Sequence, residues 1–352
     1  MIGGDAPVSV QSMTSTKTDD VTATLREIER LEEAGCQIIR VTVPDEKAVK
    51  ALPEIKKRMT VPLVADIHFN YRIALAAVDA GVDKIRINPG NIGKRERVEE
   101  VLKKVKGAGL PIRIGVNAGS LEKDLLEKYG YPTPRAMVES AERHITICRE
   151  FDFENIVVSL KSSDVRLMIE SNRLFSRKYD YPIHLGVTEA GLLKSGTVKS
   201  AVGIGTLLAD GIGDTIRVSL TDDPLEEVRI GFDILKSLGL ASRGVTIIAC
   251  PTCGRLEVNL FKIAAEMEEK LKDVKKPMSL ALMGCAVNGP GEATHADMGI
   301  AFGKGGGLIY KNGKKVGKVK ESDAIPRLLE LIEDETQRKC SNSIIHSQQQ
   351  EE

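Results

Sequence analysis

Short β-branched segments alternate with amphipathic segments over roughly the first 240 residues of the chain. In the β-branched segments, apolar residues are continuous or alternate with polar ones, and Gly, Pro or Asp bound each segment. This pattern predicts strands. The predicted strands are residues 8–13, 37–43, 62–69, 84–90, 111–118, 155–161, 182–190 and 215–220. The segments between them favour helices; 18–35, for example, has apolar Val21 and Leu25 at helical spacing and ends in glycine.

This strand–helix unit recurs eight times, which predicts the fold of residues 1–240. Eight such units are typical of an α/β protein with a (β/α)8 TIM barrel, in which parallel strands form a cylinder inside a ring of helices. A doubly wound open sheet is the alternative, but that fold rarely repeats the unit eight times. We expect a TIM barrel with its functional residues at the C-terminal mouth of the strands.

The pattern changes after Gly239, and residues 241–335 predict a second, smaller domain. A strand leads into the sequence ACPTCGR, and a helix follows over 256–274. A strand in MSLALMG, glycine-rich loops, a hairpin in GLIYKNGKKVGKV and a helix over 323–334 complete an α+β arrangement. Residues 336–352 are polar, and we expect them to form a disordered tail.

The composition of the chain excludes several classes of protein. Its 352 residues include 50 Lys and Arg against 50 Asp and Glu, so no overall charge favours nucleic acid or an anionic membrane. No segment approaches the roughly 18 apolar residues of a membrane span, and the N-terminus lacks the basic and apolar regions of a secretory signal. Six cysteines are too few for a disulfide scaffold, so we expect a cytoplasmic protein with reduced thiols.

The side chains that point into the barrel can be predicted from the alternation along each strand. In IIRV, for example, Ile39 and Val41 face the helices and Arg40 faces the lumen. The same parity sends a set of polar residues inward: Ser9, Gln11, Arg40, Asp66, His68, Arg86, Asn88, Arg113, Asn117, Ser159, Lys161, His184, Thr188, Arg217 and Ser219. Glu189 ends the seventh strand, where loop geometry can turn it inward.

The predicted lumen is positively charged, whereas Val, Ile and Leu fill the lumen of an ordinary TIM barrel. Four arginines and Lys161 face only Asp66 and Glu189. Because a buried, unpaired cation is costly, we expect an anion to neutralise the excess, and arginine suits phosphate oxygens. The lumen thus predicts a small ligand with two or more phosphate charges; a structural ion-pair network is the alternative. We expect His68, nearer the strand end, to be functional and the deeper His184 to support the lumen.

Three cysteines in the second domain predict a metal site. Cys250 and Cys253 form a CxxC pair in ACPTCGR, and Cys285 follows in MGCAVNGPGE after 31 residues. A closed zinc site would need a fourth Cys or His at short spacing, and no such pattern is obvious. Glycine and proline beside the thiols favour an iron–sulfur cluster, with Glu292 as the nearest oxygen ligand. A zinc ribbon that only stabilises the domain is the alternative.

Eight segments of the chain agree with one known family. They are GGDAPVSVQSMTSTKTDDV, VPLVADIHFNYRIAL, RINPGNIG, PIRIGVNAGSLEKDL, GVTEAG, GIGDTIRVSL, ACPTCGR and GCAVNGPGEA. On these segments the chain resembles, over about residues 3–335, the 4-hydroxy-3-methylbut-2-en-1-yl diphosphate synthases of the non-mevalonate isoprenoid pathway. No large insert separates the two domains, so the chain is similar to the compact bacterial form of this family.

The resemblance implies a two-domain enzyme with a TIM barrel followed by a [4Fe-4S] domain. The cluster would be held by Cys250, Cys253, Cys285 and Glu292. A cyclic diphosphate substrate would lie at the barrel mouth against Arg40, Arg86, Arg113, Asn117 and Lys161. The other residues implied at the same mouth are Asp66, His68, Asn88, Glu189 and Ser219.

The resemblance also implies a reaction and partners. 2-C-methyl-D-erythritol 2,4-cyclodiphosphate would be opened and dehydroxylated with two electrons from reduced flavodoxin or ferredoxin, and Glu189 is our candidate proton donor. Members of the family are homodimers in which the cluster domain of one subunit closes over the barrel of the other. Two other classes of function stay open on the residues alone. One is a non-redox, phosphate-binding transferase with structural zinc; the other is an electron-transfer scaffold, which leaves the cationic lumen unexplained.

Overall fold

The computed structural model describes residues 1–88, 91–92 and 94–348, with side chains described as far as residue 335. The chain divides into two compact units, Met1–Ala241 and Ser242–Glu352. Each unit has its own hydrophobic core. Within the described residues, no helix is both long enough and apolar enough to cross a membrane.

Parallel strands and helices alternate along the first unit. Its strands are β1 (Ser9–Met13), β2 (Ile38–Thr42), β3 (Leu63–Asp66), β4 (Lys84–Arg86), β5 (Ile112–Asn117), β6 (Ile156–Lys161), β7 (His184–Leu185) and β8 (Thr215–Ile216). Its helices are α1 (Val21–Glu33), α2 (Glu46–Arg58), α3 (Tyr71–Asp79), α4 (Arg95–Gly107), α5 (Lys123–Tyr129), α6 (Pro134–Glu150), α7 (Val165–Ser176), α8 (Leu193–Ala209) and α9 (Pro224–Ser237).

The eight strands form one parallel sheet that closes almost completely into a barrel, so the predicted TIM barrel is confirmed. The order is β6-β5-β4-β3-β2-β1-β8-β7. The two outer strands of this order are joined by an isolated bridge between Val158 and Ile183, where Val158 N donates to Pro182 O at 2.9 Å. The inward faces of all eight strands therefore surround a common lumen.

Strand alternation and helix capping explain why these residues form a barrel. Ile39 and Val41 on β2 are fully buried toward the helices, which leaves Arg40 between them for the lumen. The side chains of Asp20, Asp45 and Asn70 accept hydrogen bonds from backbone N–H groups in the first turns of α1, α2 and α3.

All eight observed strands are shorter than predicted, and β3, β4, β7 and β8 are each shorter by at least four residues. β7 and β8 have two residues each, but backbone hydrogen bonds continue beyond their ends. Arg217 N, after β8, donates to Leu185 O at 2.9 Å, and Thr188 N, after β7, donates to Ser162 O at 3.2 Å. These bonds keep the inward residues beyond both strands on the barrel wall. The observed β4 ends at Arg86, and residues 89–90 of the predicted fourth strand lie outside the described residues.

The second unit is a small α+β domain. Its strands are β9 (Val245–Ala249), β10 (Met278–Met283), β11 (Met298–Gly303), β12 (Gly306–Lys311) and β13 (Lys314–Val319), and its helices are α10 (Leu260–Leu271), α11 (Gly289–His295) and α12 (Glu321–Gln348). The sheet order is β13-β12-β11-β10-β9, parallel from β9 to β11 and antiparallel beyond. Apolar side chains such as Leu280, Ile300 and Phe302 fill its core.

Two parts of the second unit differ from the sequence prediction. The short helix α11 occupies the segment that its Gly and Pro residues predict as a loop, because proline is compatible with the first turn of a helix. The last helix, α12, extends to Gln348, so the backbone of 336–348 is helical where we expect a disordered tail. Residues 349–352 of that tail lie outside the described residues.

Candidate functional site

An acidic residue at the end of β3 links two arginines of the barrel lumen. Asp66 Oδ2 lies 3.2 Å from Arg40 Nη2, and its other oxygen, Oδ1, accepts a hydrogen bond from Arg86 Nη1 at 3.3 Å. Burial opposes ionisation of Asp66, but the charges of Arg40 and Arg86 outweigh it and lower the pKa of the carboxyl group overall. Asp66 is therefore an ionised anchor that holds both guanidinium groups in the lumen.

Arg113 on β5 is more deeply buried than Arg40 and Arg86, and its positive charge is less well compensated by neighbouring groups. Its Nη1 donates to Gln11 Oε1 at 2.9 Å, and its buried Nε has no hydrogen-bond partner among the described residues. Burial, followed by the charge of Arg40, lowers the pKa of Arg113 well below its usual range. The charged guanidinium is thus electrostatically under-satisfied, which is the environment expected of a residue that binds an anion.

Lys161, at the end of β6, is the second under-compensated cation. Its Nζ lies 3.2 Å from His184 Nε2 on β7. Burial, followed by the charge of Arg113, lowers the pKa of Lys161 well below its usual range. Within the described part of the chain, no carboxylate lies within 4.0 Å of the charged atoms of Lys161 or Arg113.

A glutamate from the outer ring of helices, which strand alternation does not predict, also reaches the lumen. Glu227 on α9 is buried and lies 3.5 Å from Arg217 Nε, while its carboxylate accepts hydrogen bonds from Ser12 Oγ and Leu220 N at 2.9 Å. Because Glu227 lies on a helix, the alternation of residues along the strands cannot predict that it reaches the lumen. A carboxylate at this place pairs with only one of the lumen cations.

A buried lysine at the start of β4 is a further cation that we did not predict. Lys84 has the same parity as Arg86 and Asn88, so strict alternation could have identified it. Burial, followed by the charge of Arg113, lowers the pKa of Lys84 to about 8. The lumen cations are Arg40, Lys84, Arg86, Arg113, Lys161 and Arg217, against the two buried carboxylates of Asp66 and Glu227.

The remaining predicted residues of the mouth occupy different environments. Asn88 is half-buried and accepts a hydrogen bond from Gly115 N at 2.9 Å, and Asn117 and Ser219 are also half-buried. His68 is half-exposed with its Nε2 at 4.0 Å from Asp66 Oδ2. Glu189 is exposed rather than turned into the lumen, and its φ of 47° places it in the left-handed region. This left-handed backbone interrupts the strand alternation that would direct the side chain inward.

A glycine on β5 makes room for one of the lumen arginines. Gly115 faces inward between Arg113 and Asn117, and a Cβ atom there would lie 2.7 Å from Arg86 Nε. The Arg86 side chain therefore crosses the space that a side chain at 115 would fill, and its Nη2 donates to Gly115 O at 3.3 Å. Sequence alternation shows that a glycine points inward but not which neighbouring side chain uses the space.

The cysteines of the second unit lie on turns that follow its parallel strands. Cys250 follows β9 and Cys285 follows β10, and the two turns are connected because Gly284 N donates to Cys250 Sγ at 3.2 Å. Cys253 is exposed, and the backbone N–H of Arg255 lowers the pKa of its thiol. Glu292 is exposed in the first turn of α11.

These surroundings fit an iron–sulfur cluster. The cysteine ligands of a cluster are thiolates, which a lowered pKa at Cys253 favours, and they accept backbone N–H bonds such as the one from Gly284 to Cys250. All five cysteines whose side chains are described are free, and the thiols of Cys36 and Cys148 are buried with their pKa raised to about 12. As far as the described residues extend, no three His, Cys, Asp or Glu side chains converge on a point that could hold a single metal ion.

Comparison with known proteins adds an independent finding. The family profiles of the GcpE TIM-barrel domain and the GcpE protein C-terminal domain match residues 1–232 and 246–334. A 4-hydroxy-3-methylbut-2-en-1-yl diphosphate synthase (flavodoxin) of Geobacillus thermodenitrificans is 60% identical over 332 residues, which cover 94% of this chain and 89% of that relative. The protein of the same name from Bacillus subtilis is 57% identical, with 94% and 88% covered.

Among solved structures, a dihydropteroate synthase from Xanthomonas albilineans is similar at a TM-score of 0.47 and 16% identity, covering 67% of this chain and 93% of its own. A likeness of this size supports no argument about function. The two family profiles and the relatives, in contrast, span both units of the chain. The chain belongs to the GcpE family.

Proposed function

We propose that the chain catalyses the reductive ring opening of 2-C-methyl-D-erythritol 2,4-cyclodiphosphate to 4-hydroxy-3-methylbut-2-en-1-yl diphosphate. The reaction takes up two electrons and two protons, breaks the C–O bond between the tertiary carbon C2 and phosphate, and releases the secondary C3 hydroxyl group as water. The single observation that supports it most is the excess of buried cations over carboxylates in the lumen. The names of the relatives with 57% and 60% identity support the same reaction.

The lumen cations would bind the two phosphates of the ring. Arg113 and Lys161 are the strongest candidates, because no described carboxylate competes for either charge. Arg40 and Arg86 are held in place by Asp66 and can add hydrogen bonds from the mouth side. When the ring opens, charge develops on the departing phosphate oxygen, and fixed cations stabilise that charge most where water is excluded.

Cys250, Cys253 and Cys285 would hold a [4Fe-4S] cluster, with Glu292 as the fourth ligand. When bound, this cluster supplies electrons one at a time and a Lewis-acidic iron whose carboxylate ligand can exchange. The N–H of Gly284 would stabilise the negative charge on the Cys250 sulfur. The exposure of Cys253 and Glu292 leaves this part of the domain open to an electron donor.

The polar residues around the mouth would orient the rest of the substrate. Asn117 and Ser219 are half-buried at strand ends, where each can donate a hydrogen bond to a hydroxyl or phosphate oxygen. Asn88 already accepts from Gly115 N, so its amide NH2 group is directed toward other partners. Glu189 and His68, both accessible to solvent, are candidates to deliver protons. We assign the proton to Glu189.

Anaerobic purification and assay of the full chain test this proposal. We expect a brown, oxygen-sensitive protein with iron and sulfide near four of each per chain. With chemically reduced flavodoxin it should convert the cyclic diphosphate to the linear allylic diphosphate. A colourless protein that contains zinc and shows no turnover would contradict the proposal and would favour the transferase.

Substitution of Arg113 by alanine should weaken substrate binding without affecting the cluster. The variant loses a buried charged donor, so we expect KM to rise by about 10- to 100-fold. Iron content and visible absorption should equal those of the wild type. Arg173→Ala is the matched control, because Arg173 is partly exposed and pairs with Asp210 outside the lumen. An unchanged KM for Arg113→Ala would contradict the assigned role.

The proposed partners are reduced flavodoxin and a second copy of the chain. The printed name of the relatives supports flavodoxin, and the family resemblance supports a homodimer whose site combines two subunits. Mixed dimers of Arg113→Ala and Cys285→Ser subunits test the second point. A shared site predicts partial recovery of activity, since one barrel and one cluster domain remain intact; no recovery would place each site within one subunit.

The proposed location is the cytoplasm. Free thiols on exposed turns would oxidise in an oxidising compartment, and the described cysteines of this chain are all free. The proposed electron donor and oxygen-sensitive cluster require the same reducing surroundings.

A further inference from the structure

A chain of three polar side chains crosses the last three strands of the barrel. Lys161 Nζ on β6 lies 3.2 Å from His184 Nε2 on β7, and His184 Nδ1 lies 2.7 Å from Thr215 Oγ1 on β8. His184 and Thr215 are paired directly across the two strands. All three residues are at least nine-tenths buried, so water does not replace these contacts.

The chemistry of the three groups determines the direction of the chain. Beside a bound phosphate, whose negative charge favours the protonated amine, the Lys161 ammonium group only donates hydrogen bonds, so His184 Nε2 is its acceptor. In a neutral imidazole the proton is then on Nδ1, which donates to Thr215 Oγ1. Burial, followed by the charge of Lys161, lowers the pKa of His184 well below its usual range, in agreement with a neutral ring. His184 thus acts as a fixed acceptor that Thr215 holds in one tautomer.

A glycine provides the space in which the amine lies. Gly186 follows β7 with the same inward parity as His184, and a Cβ atom there would lie 2.8 Å from Lys161 Nζ and 2.6 Å from Arg217 O. Any larger residue at 186 would therefore displace the Lys161 ammonium or the backbone of the next strand. The position of the amine therefore depends on two residues: His184 accepts its hydrogen bond, and Gly186 leaves the space that it occupies.

We propose that His184 is a positioning residue, which aims the Lys161 ammonium at a phosphate oxygen of the bound ligand, and that Gly186 is required for this position. The inference rests on the proposed function, because it takes the ligand to be the cyclic diphosphate. It assigns to His184 no contact with the substrate and no proton transfer. Its effect passes entirely through Lys161.

Substitutions of His184 and its neighbours test the inference in the cluster-loaded full chain. His184→Leu removes the acceptor, so KM should rise about tenfold, and kcat should fall no further than it does in Lys161→Met, since His184 acts only through Lys161. His184→Gln keeps an acceptor near the Nε2 position and should recover most of the affinity. Gly186→Ala should weaken binding as His184→Leu does. Calorimetric titration with cyclic diphosphate, without electron donor, measures affinity independently of turnover.

A double-mutant cycle separates positioning from a general structural role. If His184 acts through Lys161, His184→Leu should cost no further affinity in a Lys161→Met background. His144→Leu is the matched control, because His144 is equally buried but pairs with Glu122 outside the lumen, and it should leave KM unchanged. Additive losses in the cycle, or wild-type affinity for His184→Leu, would overturn the inference. Absence of turnover by the wild type would instead contradict the proposed function.

Discussion

Replacement of Cys285 by serine should abolish turnover together with the visible absorption of the cluster, while both units stay folded. The thiol is on the turn after β10, outside the apolar core of its domain, so its loss removes a ligand without opening a cavity. A serine hydroxyl does not ionise near neutral pH and is a poor ligand for iron. Flavodoxin-dependent turnover measures the activity, iron content and visible absorption measure the cluster, and circular dichroism measures the fold.

The control for this variant is a cysteine of the first unit. Cys148 on α6 is fully buried, and burial raises the pKa of its thiol to about 12, so it cannot serve as a ligand in this state. Cys148→Ser should keep the wild-type iron content and colour. A brown, active Cys285→Ser protein would show that Cys285 is not a cluster ligand, and the proposed set of three thiolate ligands would be wrong.

The second large effect is expected at Asp66. Asp66→Asn should lower the free energy of unfolding of the ligand-free protein by about 3 to 5 kcal/mol, because it leaves Arg40 and Arg86 buried without their shared counter-ion. Chemical denaturation measures the loss. Asp210→Asn is the matched control; its ion pair with Arg173 is more than one-third exposed, so the change should be below about 1 kcal/mol.

Anion binding should partly reverse the loss in Asp66→Asn. A bound cyclic diphosphate would replace the missing negative charge, so saturating ligand should stabilise the variant more than it stabilises the wild type. Thermal unfolding with and without the ligand compares the two shifts. Equal shifts would mean that the ligand does not lie beside Arg40 and Arg86, and the proposed role of these two arginines in phosphate binding would be wrong.

Strand alternation predicts most of the lumen because it is a local property. Arg40, Arg86 and Arg113 each follow from the apolar residues on either side of them, and Lys161 follows from the alternation that precedes it in β6. The structure buries all four wholly or partly. Lys84 obeys the same rule but was missed, since it is at the first position of its strand, where alternation has no preceding residue to confirm it.

Features that depend on residues distant in the chain could not be predicted in this way. Glu227 reaches the lumen from α9, and the pairing with Arg217 exists only once helix and strand have packed. Glu189 was expected to turn inward, but its backbone is left-handed, a conformation that strand parity does not predict. The segment of α11 is rich in glycine and proline, whose propensity predicts a loop although the domain packs it as a helix.

The glycines at 115 and 186 have a consequence for redesign of this pocket. Each long cationic side chain occupies a volume that belongs, by position, to a residue on the adjacent strand. The shape and charge of the lumen at these places therefore depend on two neighbouring strands together. One strand provides the cation, and the other provides a glycine that leaves room for it. A library that varies single positions would miss most workable alternatives; selectivity for a new phosphorylated ring should emerge only from paired substitutions, such as a shorter cation with a larger residue at its glycine.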